Sequence, residues 1–347
     1  MIRYGDKLII GVDLGNFNMK TSLVHFPSAL SELSGDGSQF AHELKVEKRY
    51  FALGGNRVEQ RDDKADSNDD YLYLTLFAIA RELEANGLHQ GSFDIYLGVT
   101  LPPAYMKNKA MRINMKQFFR KQFAFHYNGR FYKINIVKVF PCPQSVAALY
   151  GNVLTEEMKK VLDALPNDQK ENYKKTACPI DILVKEPIAI LVDIGGGTAS
   201  PVILNFGIPQ PFDDDQPAKG VIFTYNRIIG HIKSKYGNDI TEAAINMLLS
   251  GENIRISAPE ADEIHSQMER YSKQLFMQFQ EKKLPFSTAY TLLLGGGVEA
   301  VRNTWTSISK FAKLDFLTEI KATAIGCERM VERSLINSER SQESKVG

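Results

Sequence analysis

The 347-residue sequence has only three cysteines, Cys142, Cys178 and Cys327, far apart along the chain. An odd set without close spacing argues against a disulfide framework and against a multi-cysteine zinc site. The six histidines include no His-x-x-x-His pair, so no protein-held structural metal is expected. Charge of one sign is also lacking: 42 Lys and Arg against 41 Asp and Glu leave a net +1. That removes the global basic field on which direct nucleic-acid binding relies. No apolar run approaches the roughly 20 residues of a membrane span. The opening MIRYGDKLIIGVDLG has an Asp inside its short apolar stretch and reads as a first strand, not a secretion signal. The expected location is the cytoplasm. What is present is ordinary globular composition, 44% hydrophobic and 24% charged, in a chain long enough for two domains or one large two-lobed one.

Along the chain, LIIGVDL (8–14) reads as a buried strand, with KTSLVHF continuing in strand-like alternation after a loop. KVEKRYFALGGNRVEQ has two strand-like arms around Gly54-Gly55, which predicts a hairpin there, followed by the charged connector RDDKADSNDD. YLYLTLFAIARELEANG has helical spacing and a closing Gly87. FDIYLGVTLPPAY reads as a strand into a Pro-Pro loop, KNKAMRINMKQFFRKQF as a basic amphipathic helix, and HYNGRFYKINIVKVF as a second hairpin. The solvated-face reading of that basic helix outweighs a nucleic-acid patch. PCPQSVAALYGNV turns into a helix of small residues, and 155–187 reads as a charged linker with a surface helix.

At EPIAILVDIGGG the opening pattern restarts: apolar strand, Asp, Gly-rich turn, then SPVILNFGI as a returning strand. TYNRIIGHIKSKYG is a helix closed by Gly237, 238–289 is helical and polar, and YTLLLGGGVEAVRN is a last strand, turn and helix start. LDFLTEIKATAIGCERMVERSL reads as a final helix before a polar tail. Strand–Asp–Gly-turn–strand thus occurs at 8–24 and at 189–204. Two similar α/β halves with a nucleotide-sized cleft between them are the simplest expectation.

A strand ending in Asp before a tight glycine turn exposes amide N–H groups and allows close approach of a phosphate. Two such turns would grip a polyphosphate, with Asp13 and Asp193 holding a hydrated Mg²⁺ through its waters. Lys20, seven residues after Asp13, could reach the β- and γ-phosphate oxygens. GNFNMKTS is not a P-loop, because Met19 stands where the second Gly must be and the chain continues as strand rather than helix. LLLGGG at 292–297 lacks the G-x-G-x-x-G spacing and downstream acid of a dinucleotide site. Close backbone approach to a purine or ribose fits it better, against the plain alternative of a strand-to-helix turn.

GVDLGNFNMK (11–20), PQSVAALYG (143–151), LVDIGGGT (191–198), LLLGGGVE (292–299) and ATAIGCERM (322–330) stand in the order of the five nucleotide-site motifs of the actin/Hsp70/sugar-kinase superfamily, which the chain resembles over nearly its whole length. Within it the sequence looks most like the ParM/StbA type of plasmid-segregating bacterial actins, from YFALGG, GVTLPPAY and the Pro-Gln-Ser of the second motif.

The resemblance implies a two-lobed actin-like (ribonuclease H-like) α/β fold. The first lobe would span 1–154 with a small subdomain at about 31–70, a linker 155–187, and a second lobe 188–323 with a small subdomain at about 238–289. The C-terminal helix in 324–347 would return to the first lobe. It implies ATP or GTP with Mg²⁺, hydrolysis, and head-to-tail self-assembly into a filament that moves plasmids through an adaptor bound to centromere DNA, with no membrane contact and no direct contact of this chain with nucleic acid. Position by position, Asp13 and Asp193 would order the Mg²⁺ waters and Lys20 would bind phosphate. Gly15, Asn16 and Phe17 would form the first phosphate turn, Gly195, Gly196, Gly197 and Thr198 the second, and Gly295, Gly296, Gly297, Val298 and Glu299 the nucleoside wall. Gln144 would position the attacking water by hydrogen bonding; its structural alternative is a helix cap beside Pro143. Ser200 departs from the resemblance, standing where relatives commonly carry Asp, Glu or His beside the water, and altered hydrolysis is the expectation. A small-molecule kinase of the same core and a non-polymerising nucleotide switch remain the alternatives.

Overall fold

The computed structural model describes residues 1–35, 42–59, 61, 64–65, 68–210, 217–252 and 254–346. They divide into two compact units, 1–153 with 321–347, and 154–320. Parts of the connector 61–70 and of the small subdomain at about 31–70, and one position of that at 238–289, lie outside the described residues.

The first unit is built on β1 (Ile2–Tyr4), β2 (Lys7–Leu14), β3 (Asn18–Lys20), β4 (His25–Pro27), β5 (Ala29–Leu33), β6 (Glu43–Val46) and β7 (Arg49–Arg57), then α1 (Asp70–Ala85), β8 (Gly91–Leu101), α2 (Pro103–Met106), α3 (Lys109–Phe119), β9 (Gln122–Tyr127), β10 (Arg130–Pro143) and α4 (Gln144–Ala147), which runs into a 3-10 turn at Ala148–Gly151. Its sheet order is β4-β3-β2-β8-β10-β9-β6-β7-β5, with β1 beside β2. β2, β8 and β10 are parallel and β2–β3 is an antiparallel hairpin. From Leu8 to Leu14 every residue of β2 is buried, as a near-continuous apolar run requires of a central strand covered on both faces. Each buried aliphatic there contributes roughly 2 kcal/mol.

α1 buries Tyr71 through Ala80 and ends where the sequence places Gly87. That residue has φ +77, and the N–H groups of Gly87 and Leu88 bond the carbonyls of Glu84 and Leu83, a Schellman closure. Asn128-Gly129, both at positive φ, make the two-residue turn joining β9 and β10.

The second unit holds α5 (Glu156–Ala164), α6 (Asn167–Thr176), α7 (Pro179–Leu183), β11 (Ala189–Ile194), β12 (Thr198–Asn205), β13 (Ile208–Pro209), β14 (Ala218–Lys219), α8 (Val221–Tyr236), α9 (Glu242–Leu249), α10 (Ala258–Glu281), β15 (Tyr290–Leu294), α11 (Glu299–Thr306) and β16 (Lys313–Leu317). The sheet runs β13-β12-β11-β15-β16, with β11, β15 and β16 parallel and β11–β12 an antiparallel hairpin. Each unit therefore places a hairpin strand carrying an Asp next to parallel strands reached by helical crossovers. Its core gathers around Trp305, which is fully buried with Phe276, Phe286 and Phe311 about its ring and donates from Nε1 to the Ser272 carbonyl at 3.2 Å. The chain then returns to the first unit as α12 (Ala322–Val346). There Cys327 and Val331 pack with Ile9, Cys142 and Ala147. Any side chain at Gly326 would begin 1.7 Å from the Ala147 carbonyl oxygen, so only glycine lets the fifth motif lie against the second.

Several sequence expectations change. The β6–β7 turn is at Glu47-Lys48, where Glu47 has φ +54, and Gly54-Gly55 form an irregularity inside β7 where pairing with β5 slips. KTSLVHF is two short strands, β3 and β4, around a turn closed by Thr21 N–H to the Val24 carbonyl at 2.8 Å. Residues 155–187 are three helices within the second unit, not a spacer: Met158 is buried and the Glu157 N–H bonds Asp315 Oδ1 of β16 at 3.1 Å. LDFL belongs to β16, because its backbone pairs in parallel with β15 at the sheet edge, and α12 continues to Val346 through the stretch expected as a tail.

Candidate functional site

In the first unit Asp13 lies near the end of β2 and is 1% exposed. Its Oδ2 accepts from Lys20 Nζ at 2.9 Å and its Oδ1 accepts from Thr100 Oγ1, also at 2.9 Å. Thr100 is itself buried on β8 and accepts the Leu14 N–H at 3.0 Å. Lys20 is the antiparallel register partner of Asp13, so the lysine expected at phosphate rests on the carboxylate expected at metal.

The turn Gly15–Asn16–Phe17 is braced from behind. Ser28 donates its hydroxyl to the Gly15 carbonyl at 2.6 Å and its N–H to the Phe17 carbonyl at 2.9 Å. Arg57 lies over the Phe17 ring and bonds the same carbonyl at 2.6 Å. The nearly buried Lys64 bonds the Leu14 carbonyl, and Tyr71 donates to Asn16 Oδ1 at 2.9 Å. With the Leu14, Gly15 and Phe17 carbonyls engaged, amide N–H groups are the main donors this turn has to offer an anion. Gln144 opens α4 at the end of β10, two strands from β2. It is half-buried and makes no capping bond, so the helix-cap alternative is not the arrangement seen.

The second unit repeats the plan. Asp193 pairs in register with Ser200 as Asp13 does with Lys20, which makes Lys20, by position in the hairpin, the counterpart of Ser200. Gly195 N–H closes the turn on the Thr198 carbonyl at 2.8 Å. The N–H groups of Gly220, Val221 and Ile222 bond the carbonyls of Gly197, Gly195 and Gly196 at 2.9, 3.2 and 3.0 Å. The turn thus caps the orphan donors of α8 while α8 occupies the turn's carbonyls.

Gly295 has φ +98, and a side chain there would start 2.5 Å from Asp193 Oδ1. The third turn is therefore moulded onto that carboxylate. Gly296 is exposed with open space around it, whereas Gly297 donates to the Ile194 carbonyl at 2.8 Å. Val298, expected along the nucleoside wall, puts its side chain into the core and has only main chain to offer a ligand. Glu299 pairs with Arg302 at 2.9 Å, and Arg302 lies over the Phe316 ring.

Among the described residues no three His, Cys, Asp or Glu side chains gather as a metal cage. Each unit offers one strand-end carboxylate, a donor set that fits Mg²⁺ held through its own waters and does not fit zinc. Thr100, Ser28, Arg57, Lys64 and Gly220 escaped the sequence reading. A hydroxyl inside the apolar run YLGVTLPP and a Gly immediately before a helix were the available signals for two of them.

Residues 11–146 match the family model described as the N-terminal domain of actin-like proteins. Comparison with curated protein sequences finds no match. Among solved structures the chain is similar to the actin-like protein Alp7A, at 14% identity over 97% of this chain and 99% of that one, with a TM-score of 0.68. It is also similar to Bacillus thuringiensis ParM with ATP, at 11% identity over 96% and 99% with a TM-score of 0.62, and to Alp12 in its filament structure, at 12% over 95% and 99% with a TM-score of 0.62. The fold is the actin-like α/β fold.

Proposed function

We propose that this chain of actin-like fold binds ATP or GTP together with Mg²⁺, hydrolyses it, and assembles head-to-tail into a filament. In the cell that filament would segregate plasmid DNA through a DNA-bound adaptor. The observation that carries the reading is the pair of like-built hairpins, Asp13 to Lys20 and Asp193 to Ser200, with the carbonyls of Gly15 and Phe17 in the first turn and of Gly195, Gly196 and Gly197 in the second already hydrogen-bonded within the protein. Such turns present amide donors to phosphate without presenting lone pairs against it. The relatives whose structures contain ATP or a filament support the ligand and the assembly.

In this reading the amides of Gly15–Phe17 and Gly196–Thr198 bind phosphate, Gly195 keeps its N–H on the Thr198 carbonyl, and Lys20 moves from Asp13 to phosphate oxygen. Gln144 orients the attacking water through its amide and Ser200 supplies a hydroxyl near it. Bound Mg²⁺ supplies charge neutralisation on the phosphates. Gly295–Glu299 offers main chain to the nucleoside. A heterologous contact that does not close on itself gives an open filament.

Light scattering by purified protein after addition of ATP-Mg²⁺ or GTP-Mg²⁺ tests the reading. A rise followed by decay as phosphate is released is expected. A flat trace with phosphate release would overturn the filament, and a flat trace without nucleotide binding would overturn the site.

A further inference from the structure

Thr100 joins neither hairpin, yet its hydroxyl is the point at which β8 meets the Asp13 carboxylate. The parallel ladder between β2 and β8 ends with Val12 opposite Val99. One residue further, Thr100 Oγ1 accepts the Leu14 N–H at 3.0 Å and donates its O–H to Asp13 Oδ1 at 2.9 Å. Thr100 is 2% exposed and Asp13 1%. A hydroxyl with one proton cannot serve both groups otherwise: the lone pair faces the amide, so the proton faces the carboxylate.

Two consequences follow. The carboxylate is held by a charge-assisted hydrogen bond from a buried donor on the neighbouring strand. Rotation about its last torsion, normally broad, is reduced to one setting, in which Oδ2 is turned to the side occupied by Lys20 Nζ at 2.9 Å. Lys20 is a tethered cation at that oxygen, and a hydrated metal taking its place would leave Oδ1 on Thr100.

We propose that Thr100 is the positioning residue of the first half-site, aiming Asp13 Oδ2 at the waters of a nucleotide-bound divalent cation. This rests on the nucleotide-binding reading above. Thr100→Val keeps the shape and removes both the donor to Asp13 and the acceptor of the Leu14 N–H, while Thr100→Ser keeps both and loses a methyl group.

The test is a titration of nucleotide binding, read with a fluorescent ATP analogue, against Mg²⁺ concentration for both variants and the unaltered protein. Thr100→Val is expected to raise the Mg²⁺ needed for half-maximal binding about tenfold, as loss of one charge-assisted bond does. Metal-free analogue binding should stay within about twofold, and Thr100→Ser should return the Mg²⁺ midpoint to within about threefold of the original. Equal midpoints for Val and Ser, or equal loss of metal-free and metal-assisted binding, would overturn the positioning role. If Thr100→Val does not fold, Thr100→Cys, with its much weaker donor, carries the same comparison against Ser. Absence of Mg²⁺-dependent binding by the unaltered protein would instead overturn the nucleotide reading and this inference with it.

Discussion

Replacing Gly295 by Ala perturbs the point where the third glycine turn rests on Asp193. The residue has φ +98, where an L side chain costs about 1–2 kcal/mol. The added methyl would lie 2.5 Å from Asp193 Oδ1 and 2.6 Å from the Ile194 carbonyl oxygen. The carbonyl belongs to the central strand β11 and cannot swing aside, so the carboxylate and the turn must move, adding about 1–3 kcal/mol of overpacking. A total of about 2–4 kcal/mol corresponds to a fall in Tm on the order of 10 °C for a unit of this size. Displacement of Asp193 should also weaken nucleotide binding at least about tenfold. Gly296 supplies the control, because it lies one residue away in open space without a positive φ; Gly296→Ala should unfold within about 2 °C of the unaltered protein. Thermal denaturation and calorimetric nucleotide titration of both variants decide the matter. A Gly295→Ala protein as stable as the original, or a Gly296→Ala protein equally damaged, would refute the contact argument.

Two further outcomes are expected. Ser200→Asp sets a second carboxylate opposite Asp193 on an antiparallel pair, at a separation of about 5 Å. With both positions half-buried, this repulsion should cost about 1 kcal/mol. The deficit should be present at pH 8, shrink as the pair takes up a proton on acidification, and come with an altered turnover rate; unchanged turnover and a superimposable pH profile would count against it. Glu328 concerns stability alone. It accepts the Gly11 N–H at 3.2 Å and pairs with the Met1 α-amino group at 2.9 Å, which Glu82 shares at 2.8 Å. Burial nevertheless pushes its pKa above the usual carboxylate range, outweighing the ammonium. A raised folded-state pKa gives stability that is full below the unfolded value near 4.5 and lost as pH rises through the folded value. Glu328→Gln should therefore gain in Tm relative to the original as pH rises above the unfolded value near 4.5, and parallel Tm–pH curves would contradict this.

Much of the architecture was legible because it is written in local pattern. The apolar runs at 8–14 and 189–194 are strands, Gly87 and Gly237 end helices in the left-handed conformation, and Asn128-Gly129 makes a two-residue turn. Five motifs in order pointed to the actin-like fold without any single one sufficing. Local pattern failed where two alternatives look alike over a few residues. Gly54-Gly55 serves equally as a turn or a bulge, and cross-strand pairing with β5 decided for the bulge. LDFL has no strand signature of its own until β15 offers it a parallel edge.

The site divides in the same way. Asp13, Asp193 and their glycine turns could be named from the sequence, since a strand end, a carboxylate and a residue without a side chain are properties of consecutive positions. That Lys20 rests on Asp13, that Lys20 and Ser200 hold the same place in their hairpins, and that Val298 turns its side chain into the core emerged only from register and packing. Thr100, 87 residues from Asp13 along the chain, lies at the carboxylate because β8 pairs beside β2. Hydrogen bonds act over about 3 Å whatever the sequence separation, so the partners of a buried charge are chosen by which strands become neighbours.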